Sequence, residues 1–424
     1  MVDKDFIVKG HFCFSEGPRK LVVKENHYLV CEEGRIKGIF PQIPDQNKGM
    51  ACLDYGDRLI IPGLTDLHLH GPQYVFRGIG MDQELLDWLN TWTFPEEAKY
   101  REIEYAKRAY RLFAQDLRQS ATCRAVVFGT IHREATEYLM EELEAAGITA
   151  YVGKVNMDRN CPENYREEPK ASIEDTEMWI QNTAEKFTRV KPILTPRFIP
   201  ACSDGLMEGL GRLQEKYHLP VQSHLSENKS EVQWVKELCP WAECYGAAYD
   251  RFGLFGSGGP AVMAHCVYSE ENELALMKKN GTYIAHCPQS NTNLASGIAP
   301  VRRFLEMGIP TGLGTDVAGG HSSSVFRTMV EAVQVSKLRW RLAEDTLKPL
   351  TIEEAFYLGT AGGGSFFGKA GSFQEGSEAE FLVLDESRIP YMKELSVARR
   401  LERYLYLCGE KDLLHKFSGG RMIF

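Results

Sequence analysis

The chain has 424 residues, 43% of them apolar and 25% charged. That balance is globular and excludes disorder, collagen and coiled coil. The length leaves room for a large core, as up to three domains or as one α/β barrel with additions. A net charge of −9 without a basic tract argues against duplex nucleic acid or an anionic membrane surface as the main partner.

The N-terminus, residues 1–5, carries two acids and no following apolar run, so no signal peptide is expected. No stretch reaches the length of a membrane span. The 11 cysteines form no Cys-x-x-Cys pair. Neither a zinc knuckle nor a disulfide framework is expected, and a reducing cytoplasm suits them.

Within residues 1–58, apolar runs at 21–23, 28–31 and 36–40, with turn signals at Glu33-Gly34 and Pro41, predict a small antiparallel sheet. Eight buried strands are then expected at 59–66, 123–128, 150–155, 193–198, 221–224, 261–265, 282–287 and 311–316. Helical patterns at 103–117, 134–146, 173–187, 232–238, 270–279 and 324–338 alternate with them. About 38 residues per unit suits a strand, a helix and their loops. A last strand is expected at 381–385. The expected fold is α/β, a (β/α)8 TIM-like barrel over 59–370. A small β-sandwich domain would combine 1–58 with 371–424. A doubly wound open sheet is the alternative, which strand count alone does not separate.

The histidines fall at significant points on this map. His68-Leu69-His70 follows the first strand, His224 ends the fifth, His265 ends the sixth and Asp316 ends the eighth. In a barrel these strand ends open onto one face. Imidazoles with a carboxylate are a donor set for a borderline metal such as zinc, with a position left for water. Iron accepts the same donors. Glu227, three residues after His224, is placed to carry protons between water and a substrate nitrogen. The same glutamate also suits the start of a helix. His286 and His321 are secondary candidates, while His11, His27, His132, His218 and His415 read as structural or surface. Residues 363–370 almost match a phosphate loop, but the final residue is Ala370 where a hydroxyl is needed. Residues 320–324 lack the second glycine of a nucleophile elbow.

The segment from Pro62 to His70, together with His224, His265 and Gly314-Thr315-Asp316, resembles the amidohydrolase superfamily over essentially the whole chain. Within it, the segments around Gln73, Trp88–Glu96, Thr195–Phe198, Ser223–Asn228 and His286–Asn291 resemble the guanine deaminase family. His321 is a departure from that pattern. The resemblance implies hydrolysis of guanine to xanthine and ammonia in a cytoplasmic homodimer. It also implies one zinc per subunit on His68, His70, His224 and Asp316, with His265 either a ligand or bonded to the water. Glu227, Asp316 and His265 would be catalytic, and Gln73, Arg197 and Phe198 would bind the base. The fourth strand ends in Arg197-Phe198, so the lysine that bridges two metals in some superfamily members is missing, and Lys154 is the nearby lysine. Deamination of cytosine, adenosyl-homocysteine or a triazine, or a non-catalytic scaffold, are the competing expectations.

Overall fold

The computed structural model describes residues 4–424. Residues 1–3, part of the N-terminus judged to carry no signal peptide, lie outside the described residues. The chain begins with β1 (Phe6–Gly17), β2 (Lys20–Glu32), β3 (Arg35–Phe40) and β4 (Cys52–Pro62). Next come β5 (Leu64–His70), β6 (Thr122–Phe128), β7 (Thr149–Gly153), β8 (Val155–Asn156), β9 (Val190–Pro192) and β10 (Thr195–Pro196). Then follow β11 (Val221–Leu225), β12 (Ala261–His265), β13 (Tyr283–His286) and β14 (Thr311–Leu313). The C-terminal part adds β15 (Phe381–Leu384), β16 (Leu413–Ser418) and β17 (Arg421–Met422).

The expected β-sandwich of the two chain ends takes a different form. Its strands hydrogen-bond into one seven-stranded sheet, ordered β17-β16-β15-β4-β1-β2-β3. The long β4 pairs parallel with β1 along one edge and antiparallel with β15 along the other, so strands from both ends join edge to edge. Its apolar face gathers Phe6, Phe12, Phe14, Phe373, Phe381 and Phe417. β1 was not expected, because nearly every residue in it is buried and the alternation that marks a half-exposed strand is missing. The two short runs at 21–23 and 28–31 belong to the single strand β2.

The middle of the chain is α/β, with two four-stranded parallel sheets ordered β5-β6-β7-β9 and β11-β12-β13-β14. These strands are mostly buried on both faces, as parallel strands under helices should be. Backbone hydrogen bonds Leu194 N to Pro220 O and Gln222 N to Leu194 O, both 2.9 Å, link one pair of sheet ends. At the other pair, Asp316 N donates to His68 O at 2.8 Å and His70 N to Val317 O at 2.9 Å. A buried cluster including Leu67, Val126, Ile193, Val262, Ala264 and Ala285 draws on both sheets.

The helices expected at 103–117 and 134–146 are Ile103–Gln119 and Arg133–Ala146. The helix expected at 173–187 is instead Pro169–Thr183, because proline supplies a ready first turn at its start. Among the described residues no helix is long and apolar enough to cross a membrane.

One buried ion pair supports the frame. Arg302 grips Glu354 with Nη1 at 2.6 Å and Nη2 at 2.5 Å, and Arg19 from the β1–β2 turn adds a bond of 2.8 Å. Burial raises the Glu354 carboxyl, but the arginine hydrogen bonds outweigh it and hold it down at about 2. A carboxylate depressed in the folded state stabilises fully above its unfolded value of about 4.3. That contribution disappears as pH falls from there toward about 2. Glu354→Gln leaves Arg302 buried without its charge partner. Urea unfolding at pH 7 is expected to show a loss of about 3–5 kcal/mol, shrinking as the pH falls below about 4.

Candidate metal centre and active site

Every histidine expected at the centre arrives there from a strand end. His68 and His70 lie two residues apart on β5, where side chains of alternate residues share a face. His224 lies in β11, His265 closes β12, and Asp316 follows β14. Ala264 points into the apolar cluster shared by the sheets, so strict alternation would send His265 to the opposite face. The φ of 77° at His265 breaks that alternation, and Asp316 is also left-handed at 49°. Such conformations cost about 1–3 kcal/mol each in residues with a Cβ and persist where the surroundings impose them. Asp66 Oδ1 fixes the neighbouring backbone by accepting from His68 N at 3.2 Å and Thr315 N at 3.0 Å.

The resulting cluster is tight and almost wholly buried. Asp316 Oδ1 lies 3.1 Å from His68 Nε2 and 3.2 Å from His70 Nε2. His265 Nε2 lies 3.7 Å from Asp316 Oδ2 and 3.4 Å from Glu227 Oε2. The Nε2 atoms of His224 and His70 are 3.3 Å apart.

Second partners fix the tautomers. His224 Nδ1 donates to the Arg197 carbonyl at 2.6 Å, and His265 Nδ1 donates to Asn291 Oδ1 at 2.9 Å. Burial keeps both rings neutral, the first well below the usual imidazole range and the second down at about 4. Their Nε2 lone pairs therefore face one another and two carboxylates. His68 Nε2, His265 Nε2 and Glu227 Oε1 are buried with no hydrogen-bond partner. Such a convergence of lone pairs is repulsive alone and fits a cation held among them. Three overlapping triads offer ligand atoms within 4.8 Å of one another: His68–His224–His265, His68–His70–Asp316 and Glu227–His265–Asp316.

The two carboxyls are driven apart. Burial raises Glu227 well above the usual range, and the nearby Asp316 and Glu231 charges reinforce it. Asp316 is held well below its range, because the facing His68 and His70 outweigh its burial. An acid beside a base is the arrangement that proton transfer needs. The loop carrying Glu227 is held from below: Glu231 accepts from the Glu227 N–H at 2.9 Å and Glu273 from the Ser226 hydroxyl at 2.8 Å.

A cleft opens on this centre. His70, His224, Glu227, His265 and Asp316 line one side, with Gln73, Arg197 and Phe198 beside them. Leu85, Trp88, Leu89 and Leu294 supply apolar walls. Trp88 lines the cleft, while Tyr74, Phe76 and Phe94 are buried and Trp92 is 37% exposed.

Glu97, which sequence reasoning missed, joins Gln73 and Arg197 beside the cleft. It takes Arg197 Nη1 at 2.5 Å, Arg197 Nη2 at 3.2 Å, Gln73 Nε2 at 2.8 Å and the Tyr165 hydroxyl at 2.8 Å. A Glu-Glu pair near a helix start reads as ordinary dipole compensation, so the sequence carries no separate signal for it. A π-helical turn at Leu89–Thr93 precedes the short helix Phe94–Glu97 that presents it. Pro95 has no N–H for the regular bond to residue 91, which accounts for the widened turn.

Other candidates lie outside the cleft. Lys154 pairs with Glu167 at 2.6 Å. His286 is fully buried with both ring nitrogens unpartnered, and burial lowers it to about 3. His321 contacts Asn293 at 3.2 Å on the surface.

The site and fold have their counterparts among known proteins. The chain belongs to the amidohydrolase family, whose pattern matches residues 59–407. Within that family it is similar to guanine deaminases. The enzyme of Mus musculus is 37% identical, with 98% of this chain and 96% of the relative aligned. That of Escherichia coli strain K12 is 34% identical, with 94% and 91% aligned. A crystal structure of guanine deaminase from C. acetobutylicum with guanine in its active site superposes with a TM-score of 0.96. It is 45% identical, and the superposition covers 99% of this chain and 100% of the other.

Proposed function

We infer that this chain is a guanine deaminase, hydrolysing guanine to xanthine and ammonia. The observation that carries the reading is one buried point shared by four imidazoles, a depressed carboxyl and a raised one, beside an arginine and an amide able to read a base. The similarity to guanine deaminases over nearly the whole chain supports it.

His68, His70, His224 and Asp316 are the residues proposed to hold one divalent metal, with His265 as a fifth ligand or the holder of the water. The nitrogen-rich donor set favours zinc, with iron the alternative. When bound, the metal supplies the Lewis acidity that brings ionisation of water into the neutral range. Asp316 takes the proton of the water that adds to C2, while the protonated Glu227 delivers its own to N3. The resulting tetrahedral carbon loses its amino group, which leaves as ammonia with the proton that Asp316 held. The remaining hydroxyl proton returns to Glu227, leaving the C2 oxo group of xanthine. Arg197 donates to the O6 and N7 acceptors, Gln73 reads another edge, and Phe198 packs on the ring.

The two parallel sheets are read as one closed (β/α)8 barrel over 59–370, a reading supported by the backbone bonds at both pairs of sheet ends. Residues 1–58 and 371–424 then form the smaller domain. A place in purine catabolism, the cytoplasm and a homodimer complete the proposal, supported by the similarity to guanine deaminases.

Substrate competition tests the assignment. Guanine, cytosine, adenosyl-homocysteine and a triazine are offered to the same metal-loaded protein. The expected result is ammonia from guanine at a kcat/KM at least about 10⁴-fold above the others, since a site with fixed polar partners rejects bases that leave them unpaired. Faster turnover of another heterocycle overturns the pocket assignment.

A further inference from the structure

We propose that Glu97 is a positioning residue that fixes which hydrogen-bonding edges Gln73 and Arg197 present, and thereby sets selectivity for a 6-oxopurine. The proposal rests on the guanine reading above and names a determinant within it.

Glu97 is fully buried, so water does not satisfy its carboxylate. Four donors do: Oε1 accepts from Gln73 Nε2 and Arg197 Nη2, and Oε2 accepts from Arg197 Nη1 and the Tyr165 hydroxyl. Ionised, it only accepts. The Gln73 amide lies between this acceptor and a backbone donor, because its Oε1 receives the Ala318 N–H at 3.2 Å. Only one amide orientation satisfies both neighbours. In that orientation Gln73 keeps one N–H and one oxygen lone pair for the cleft it lines.

The same logic applies to Arg197. Glu97 takes one hydrogen from each terminal nitrogen of the guanidinium. The edge made by Nε–H and its neighbouring Nη–H is left with two parallel donors. That edge matches two adjacent acceptors, such as an oxo group and a neighbouring ring nitrogen. Arg197 Cζ lies 5.0 Å from the Phe94 ring centroid, and Phe94 belongs to the same short helix as Glu97. An uncharged amide at position 97 would turn a donor toward Gln73 or Arg197 and force one of them to reorient.

Glu97 also ties its segment to the residues after β10, so the test must separate tethering from positioning. Dissociation constants of hypoxanthine, which has the 6-oxo group, and of unsubstituted purine, which lacks it, are measured by calorimetry on metal-loaded enzyme. Glu97→Gln is expected to weaken hypoxanthine about tenfold or more and purine less than about twofold. The KM for guanine should rise in parallel, while kcat falls less than about threefold. Equal weakening of both ligands, or no weakening, overturns the proposal. Should Glu97→Gln fail to fold, Tyr165→Phe decides. It removes one hydroxyl from Glu97 and is expected to weaken hypoxanthine about two- to fivefold relative to purine; an unchanged ratio overturns the proposal. If the unaltered enzyme releases no ammonia from guanine, the parent reading fails separately, and the binding ratio still answers for Glu97.

Discussion

Glu227→Gln is expected to lower kcat for guanine by about 10²–10⁴-fold, the contribution typical of a general acid–base group. The substitution keeps the shape of a side chain that is 3% exposed and lines the cleft. It removes the proton that burial and the Asp316 charge keep on the carboxyl. Because Glu227 lies outside the four residues assigned to the metal, metal content should stay at one per chain. The KM for guanine should change by less than about threefold, since the loss falls on the chemical step. Steady-state kinetics with metal analysis of the same sample checks both halves. A loss of metal in step with activity would move Glu227 from proton carrier to ligand.

Asp316→Asn is expected to lower kcat/KM by at least about 10³-fold and to take the bound metal with it. Asp316 is the carboxylate that both His68 Nε2 and His70 Nε2 face at 3.1 and 3.2 Å. Its negative charge would offset the charge of the proposed dication. Lewis-acid activation is worth several kcal/mol, and each 1.36 kcal/mol is tenfold in rate. The same carboxylate is assigned the water's proton, so the amide removes two functions together. Metal per chain by elemental analysis should fall well below one, and added metal should not restore activity. Full activity in a metal-replete Asp316→Asn protein would remove Asp316 from both roles.

Much of this centre was legible because strand ends are the most readable part of a parallel α/β chain. The strand expected at 261–265 is β12 to the residue, and the one expected at 123–128 differs from β6 by one. Histidines at such ends stand out against apolar runs. The first strand was misplaced for a physical reason. Its continuous apolar stretch belongs to two strands, β4 in the terminal sheet and β5 in the parallel one, divided at Gly63. A Cβ there would meet Cys123 Sγ at 2.4 Å, so the crossing is marked by close approach and not by polarity. The run at 150–155 is likewise broken at Lys154 into β7 and β8, and of the run at 193–198 only Thr195–Pro196 is strand, with β9 lying ahead of it at Val190–Pro192. The C-terminal helix Val397–Leu407 and strands β16 and β17 were not expected.

The residues proposed for recognition were less legible than those proposed for the metal. Arg197 and Gln73 were found by resemblance, yet their common partner Glu97 is a hundred residues from one and twenty-four from the other. Spacing of that kind has no period to detect. The left-handed turns at His265 and Asp316 were equally hidden, since positive φ is uncommon even for histidine and aspartate, where it is enriched.

The central claim is hydrolysis of guanine at a metal-bearing site, and the direct measurement is product formation by protein of known metal content. Purified chain carrying one metal per subunit is given guanine, and ammonia and xanthine are quantified over time. The account predicts equal amounts of the two products, loss of both after the metal is stripped, and recovery on reloading with zinc. A fully loaded protein that forms neither product contradicts it.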